Sequence, residues 1–107
     1  MDDRAVFAAA LGSAREALLR AVRDWRALGG RDEDLALLVD GEKGAPPTVA
    51  PQSRAHLERT IPDFEPTIAI ELVRHRAGHA PAVVTLPGMV RRIYWIDLAT
   101  GDAAAAF

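Results

Sequence analysis

The chain has 107 residues, of which 50% are apolar and 26% charged, the composition of a soluble globular domain. Its length suits one α+β domain spanning residues 1–107, because a second core would be too small to be stable by itself. The chain contains no cysteine, which excludes disulfides, thiolate nucleophiles and cysteine-rich zinc sites, and its net charge of −2 argues against nucleic-acid binding.

The chain carries no targeting signal that the sequence reveals. Its start, Met1-Asp2-Asp3-Arg4, is acidic where a secretory signal needs a basic region and then an apolar run. No stretch reaches the roughly 18 apolar residues of a membrane span. We therefore expect a cytoplasmic protein with no membrane partner. The basic residues are arginines apart from Lys43, which is typical of a GC-rich, bacterial genome.

The first 28 residues carry the clearest pattern, that of one long amphipathic helix. Asp2 or Asp3 is the expected cap, and Gly29-Gly30 ends the helix. Gly12 and nearby alanines make one flank thin, so that another backbone could approach closely. We expect the apolar surface to mediate self-association. The apolar positions at alternating spacings of four and three are Phe7, Leu11, Ala14, Leu18, Ala21, Trp25 and Leu28. The predicted interface residues are Leu11, Leu18, Leu19, Val22 and Trp25.

The middle of the chain alternates short elements with turn signals. Residues 34–40 favour a buried strand, although Asp32 could instead cap a two-turn helix. Residues 41–51 contain glycines and prolines, which predict a loop or an irregular sheet edge. Residues 53–61 predict a short helix capped by Ser53, with Leu57 and Ile61 facing inward and Pro62 ending it. This segment separates the first predicted strand from the last ones.

The C-terminal half is strand-like. Residues 67–75 form the best predicted strand, which places Ile68, Ile70 and Leu72 on one face. Strands at 82–86 and 90–98 follow, joined by a loop around Pro87-Gly88. Gly101 occupies a position that needs positive φ. The tail, 102–107, could extend a last strand or begin a helix at Asp102, and both alternatives stay open.

Together these elements predict an α+β fold. A long N-terminal helix packs on one face of a small, mainly antiparallel sheet of three to five strands, and one further short helix completes the domain.

Two groups of polar side chains are candidate sites. His75 and His79 are four residues apart and, with Glu71, could bind zinc. Gly78 and Pro81 interrupt the segment, however, which favours a solvated polar turn. The second group consists of Glu71, Arg74, Arg92 and Tyr94, which could line a ligand cleft between the first helix and the sheet.

The remaining motifs point away from catalysis. Alternation places Arg91 with Trp95 on one strand face and Arg92 with Tyr94 on the other, which divides any nucleic-acid platform. The sequence has no nucleophile elbow and no phosphate-binding loop, so we predict no catalytic residue and no cofactor. It favours a small non-catalytic interaction or regulatory module that forms a homo-oligomer or binds another protein. The alternative is a small enzyme, or a ligand- or metal-binding domain, that uses His75, His79 and Glu71.

Overall fold

A computed structural model describes residues 2–42, 45–60 and 66–106. The described elements are α1 (Asp3–Ser13), α2 (Arg15–Ala27), a 3₁₀ turn (Asp32–Asp34), β1 (Leu35–Glu42), β2 (Ala45–Ser53), α3 (Arg54–Thr60), α4 (Pro66–Val73), β3 (His79–Thr85), β4 (Arg92–Asp97) and β5 (Ala103–Ala105). None of the described helices is long and apolar enough to cross a lipid bilayer.

The N-terminal helical region is divided into two helices, so the prediction of one long helix is wrong. Asp2 caps α1 as expected, accepting a hydrogen bond from the backbone N–H of Arg4. The break lies at Ala14, whose φ of −92° and ψ of 2° are not helical. Two residues before it weaken the helix there. Gly12 has a low helix propensity, and the hydroxyl of Ser13 donates to the carbonyl of Ala10 at 2.8 Å.

The sheet is mixed, which corrects the prediction of a mainly antiparallel one. Its strand order is β2-β1-β3-β4-β5, and β1 pairs with β3 in parallel while the other neighbours are antiparallel. The parallel pair arises because the chain leaves β1 through β2 and then crosses over through α3 and α4 before it enters β3. Of the two alternatives for residues 34–40, the strand is confirmed, because β1 begins at Leu35. The proline-containing segment, predicted as a loop or an irregular edge, contributes the edge strand β2.

Helices cover both faces of the sheet, whereas the sequence predicted a helix on one face. Under α1 and α2 lie alternate residues of the strands, among them Leu37, Val39 and Ile96. The intervening strand residues, such as Ala36, Val83 and Ile93, point to the opposite face and lie under α3 and α4. The central strands are therefore nearly continuous runs of buried residues, as expected for a sheet covered on both sides.

Segment 67–75 is the main error of the sequence interpretation, because residues 66–73 form α4 rather than a strand. Pro66 takes the first helical position, where its missing N–H costs nothing. Ile68 and Leu72 are four residues apart and buried together, while Ile70 is 52% exposed. An apolar residue at every second position over so few residues fits a strand and a short helix equally well.

The other predicted elements are found close to their expected positions. Ser53 caps α3, since its hydroxyl accepts from the N–H of His56 at 3.4 Å, and Leu57 is buried. The predicted roles of Ile61 and Pro62 lie outside the described residues. Gly101 has a φ of 78°. The tail forms β5, which decides between its two alternatives, although Phe107 is not among the described residues.

The assignment of α4 as a helix predicts unequal effects of two alanine substitutions. We expect Leu72→Ala to lower the free energy of unfolding by about 2–5 kcal/mol, because it leaves a cavity under the helix. We expect Ile70→Ala, on the exposed side, to cost less than about 1 kcal/mol. Urea denaturation measures both. Similar losses of unfolding free energy in the two variants would contradict the assignment of residues 66–73 as a helix, since a strand would place both side chains on one face.

Candidate functional site

The five residues of the predicted interface serve mainly as the chain's own core. Leu11, Leu18 and Val22 are at most 2% exposed, beneath α1 and α2. Leu19 is half-buried. Trp25 is also half-buried, and its indole N–H donates to the carbonyl of Arg31 at 2.8 Å. Leu11, Leu18 and Val22 are thus covered by the chain itself, whereas Leu19 and Trp25 keep part of their surface exposed.

The four residues predicted to share a ligand cleft lie on opposite faces of the sheet. Tyr94 is under α1, where its ring stacks on that of Phe7 with centroids 6.0 Å apart, and burial raises the pKa of its hydroxyl. The guanidinium of Arg92 lies 5.2 Å from the centre of the Phe7 ring. Glu71 and Arg74 belong to the α4 side. The structure does not bring the two pairs together.

Glu71 is a buried structural acceptor. It is 5% exposed, and its Oε2 accepts from the indole N–H of Trp95 at 3.3 Å. Its Oε1 lies 3.2 Å from Nη1 of Arg74, three residues later on the chain. Both carboxylate oxygens are thus engaged, which ties the end of α4 to β4.

Arg54 is a functionally suggestive residue that the sequence interpretation missed. It is 4% exposed, and its Nε donates to the carbonyl of Leu72 at 3.0 Å. Its Nη2 donates to the carbonyls of Leu72 and Arg74. The guanidinium also lies 5.9 Å from the centre of the Trp95 ring. Its position directly after the predicted cap Ser53 was the only available signal, and it gave no indication of burial.

His75 and His79 line one cleft at the end of the sheet, which we call the polar cleft. It has a volume of about 300 Å³. The Nδ1 of His79 lies 2.8 Å from the carbonyl oxygen of Ala77, which fixes the ring. Among the residues described, no three His, Asp or Glu side chains are grouped so that they could hold a metal ion. The polar cleft is lined by Asp32, Glu33, Arg54, His75, Arg76, Ala77, Gly78, His79 and Leu98.

Asp97 lies beside this cleft, because it pairs with His79 across β3 and β4. Its Oδ1 accepts from the backbone N–H groups of Ala99 at 2.8 Å and Thr100 at 3.1 Å. These bonds, together with the nearby charge of His79, hold the pKa of Asp97 below its ordinary value of 3.8. The carboxylate closes the turn between β4 and β5.

The two outer edges of the sheet differ in chemistry. Strand β2 contains Pro46, Pro47 and Pro51, none of which has a backbone N–H to donate. Strand β5 consists of three exposed alanines. Beside β5, a cleft of about 260 Å³ extends to the small-residue flank of α1, with open space at Gly12. Among the residues that the structure describes, none makes the close approach expected at Gly12.

Two hydrogen bonds define which backbone groups of β5 face outward. The N–H of Asp97 donates to the carbonyl of Asp102 at 2.9 Å, and the N–H of Ala106 donates to that of Ile93 at 3.3 Å. Because antiparallel bonding alternates along a strand, Ala104 also faces β4. The N–H and C=O groups of Ala103 and Ala105 therefore point away from the sheet.

Comparison of the chain with protein-family models, curated proteins and solved structures finds no match. The geometry of the described residues therefore carries the functional argument.

The turn at Asp97 predicts a pH-dependent stability difference. Because the folded-state pKa is lowered, the charged carboxylate contributes stability above its unfolded pKa, and this contribution is lost as the pH falls through the folded pKa. We expect wild type to be more stable than Asp97→Asn near neutral pH, and the gap to narrow below about pH 4. Urea denaturation at several pH values measures it. A gap that is constant or widens in acid would contradict the assignment.

Proposed function

We propose that this chain is a small non-catalytic protein-interaction module that self-associates through the outer edge of β5. The observation that carries the proposal is the outward row of backbone groups on Ala103 and Ala105, which pair with none of the residues described in 2–42, 45–60 and 66–106. An unpaired strand edge pairs readily with another strand, and natural proteins protect such edges with proline, charge or covering elements. The β5 edge has an exposed, uncharged alanine surface instead.

A second copy of the chain fits this edge. In an antiparallel pair centred on Ala104, Ala103 of one copy lies opposite Ala105 of the other, so each outward donor meets an acceptor. Asp102 then lies opposite Ala106, and no like charges face each other. The alanine side chains are small enough for the strands to approach along their whole length.

Dimerisation through β5 also closes the assembly. The combined sheet has β2 of one copy at each outer end, and both ends carry Pro46, Pro47 and Pro51. These prolines oppose the addition of further strands. The product is therefore a two-fold dimer rather than an extending fibre, which is the usual form of a self-complementary contact.

The shortness of β5 sets the strength of this contact. A pair of three-residue strands makes about four new backbone hydrogen bonds, each worth about 0.5–1.5 kcal/mol. So few hydrogen bonds leave little surplus over the freedom that two chains lose on association, so we expect a weak, reversible dimer that is observed only at millimolar concentrations.

Proline substitution on the outward side of β5 tests the proposal. Ala105→Pro removes an N–H that points away from the sheet, so the fold is kept while the dimer loses hydrogen bonds and meets the proline ring. We expect sedimentation velocity to show concentration-dependent dimers for wild type and at least about tenfold weaker association for Ala105→Pro.

Ala105→Ser is the matched control, because it keeps the N–H and should dimerise like wild type. Circular dichroism verifies that each variant is folded. A wild-type monomer at every concentration, or equal dimerisation of Ala105→Pro and wild type, would contradict the β5 edge as the interface.

A further inference from the structure

We infer that the polar cleft is a binding site for a small oxyanion, either a phosphate group or a carboxylate. The cleft lies at the start of β3 and the end of β4, and it combines a buried arginine, Arg54, with the exposed basic side chains of His75 and Arg76. It is independent of the β5 edge.

The two acidic residues of the cleft are already paired with arginines outside it. Arg26 donates two hydrogen bonds to Asp32, each 2.9 Å long, and this pairing lowers the pKa of Asp32. Arg31 lies 3.6 Å from Glu33. Both carboxylates thus pair with arginines that belong to α2 or to the segment directly after it.

Two basic side chains of the cleft have no such partners among the described residues. Within residues 2–42, 45–60 and 66–106, the side chains of His75 and Arg76 make no hydrogen bond and no ion pair, and both residues are exposed. Arg76 has a planar group that binds phosphate or carboxylate oxygens through two parallel hydrogen bonds.

Among the residues that the structure describes, no carboxylate is bonded to the buried guanidinium of Arg54. The hydrogen bonds of its guanidinium go to the neutral carbonyls of Leu72 and Arg74, while Glu58 and Asp34 act on it only through space. A buried charge is costly unless an opposite charge approaches it. An anion in the polar cleft would supply that charge, because Arg54 forms part of the lining.

His79 completes the lining with an oriented ring. Its Nδ1 faces the carbonyl of Ala77, so Nε2 is left for a ligand. A protonated ring donates from Nδ1 to this carbonyl and from Nε2 to an anion. The charged and titratable groups around the cleft are Arg26 from α2, Asp32 and Glu33 from the 3₁₀ turn, Arg54 from α3, His75 and Arg76 from the loop before β3, His79 from β3 and Asp97 from β4.

Titration with inorganic phosphate, followed by NMR of the backbone amides, tests this inference on the whole chain. We expect saturable shifts concentrated in residues 75–79, with a dissociation constant below about 50 mM. Sodium chloride at matched ionic strength controls for non-specific screening, which produces small, non-saturating shifts. Absence of saturable shifts with phosphate and with acetate would overturn the inference.

Acetate distinguishes the two sources of the anion. Binding of phosphate but not acetate assigns the site to phosphoryl groups, and binding of acetate with equal or greater affinity assigns it to carboxylates. Either result supports an oxyanion site.

Variants locate the bound anion. We expect Arg76→Gln to weaken binding at least about fivefold, because the fork of donors is lost. Arg23→Gln is the matched control, since Arg23 is exposed on α2 outside the cleft and its loss should leave the affinity unchanged. Equal affinity of Arg76→Gln and wild type, or equal losses in both variants, would overturn the assignment to the polar cleft.

Discussion

The position of α4 depends on one buried cation, Arg54. Its side chain reaches from the start of α3 to the last carbonyls of α4, where a helix has no partners of its own and carries partial negative charge. Glu71 reinforces the same point by accepting from Trp95 of β4. These contacts join two helices to the sheet, and they fix the crossover that brings β3 alongside β1 in parallel.

Elements with a strong local pattern could be predicted from the sequence. Neighbouring residues are enough to predict four of these features. They are the apolar stripe of the first helices, the short helix at Ser53, the strands around 82–86 and 90–98, and the positive φ of Gly101. These signals involve residues that are only a few positions apart in the sequence. They specify elements well, but they do not specify which elements become neighbours.

The remaining features depend on long-range contacts. The pattern of Ile68, Ile70 and Leu72 cannot choose between helix and strand. The helix is in contact with a residue far away in the sequence, Arg54, which donates to the carbonyl of Leu72, 18 residues later. The sequence also does not show how much of the broad apolar stripe is covered by the chain's own sheet, which buries Leu11, Leu18 and Val22. The open edge of β5 could not be foreseen while the tail was ambiguous.

Hydrogen exchange in Arg54→Met most directly tests the claim that this cation holds α4 in place. Methionine keeps much of the apolar volume but cannot donate to the carbonyls of Leu72 and Arg74. We expect a larger loss of amide protection in α4 than in β3 and β4, and no such loss in Arg59→Met, an exposed residue on the same helix α3. Unchanged protection of α4 in Arg54→Met would contradict it.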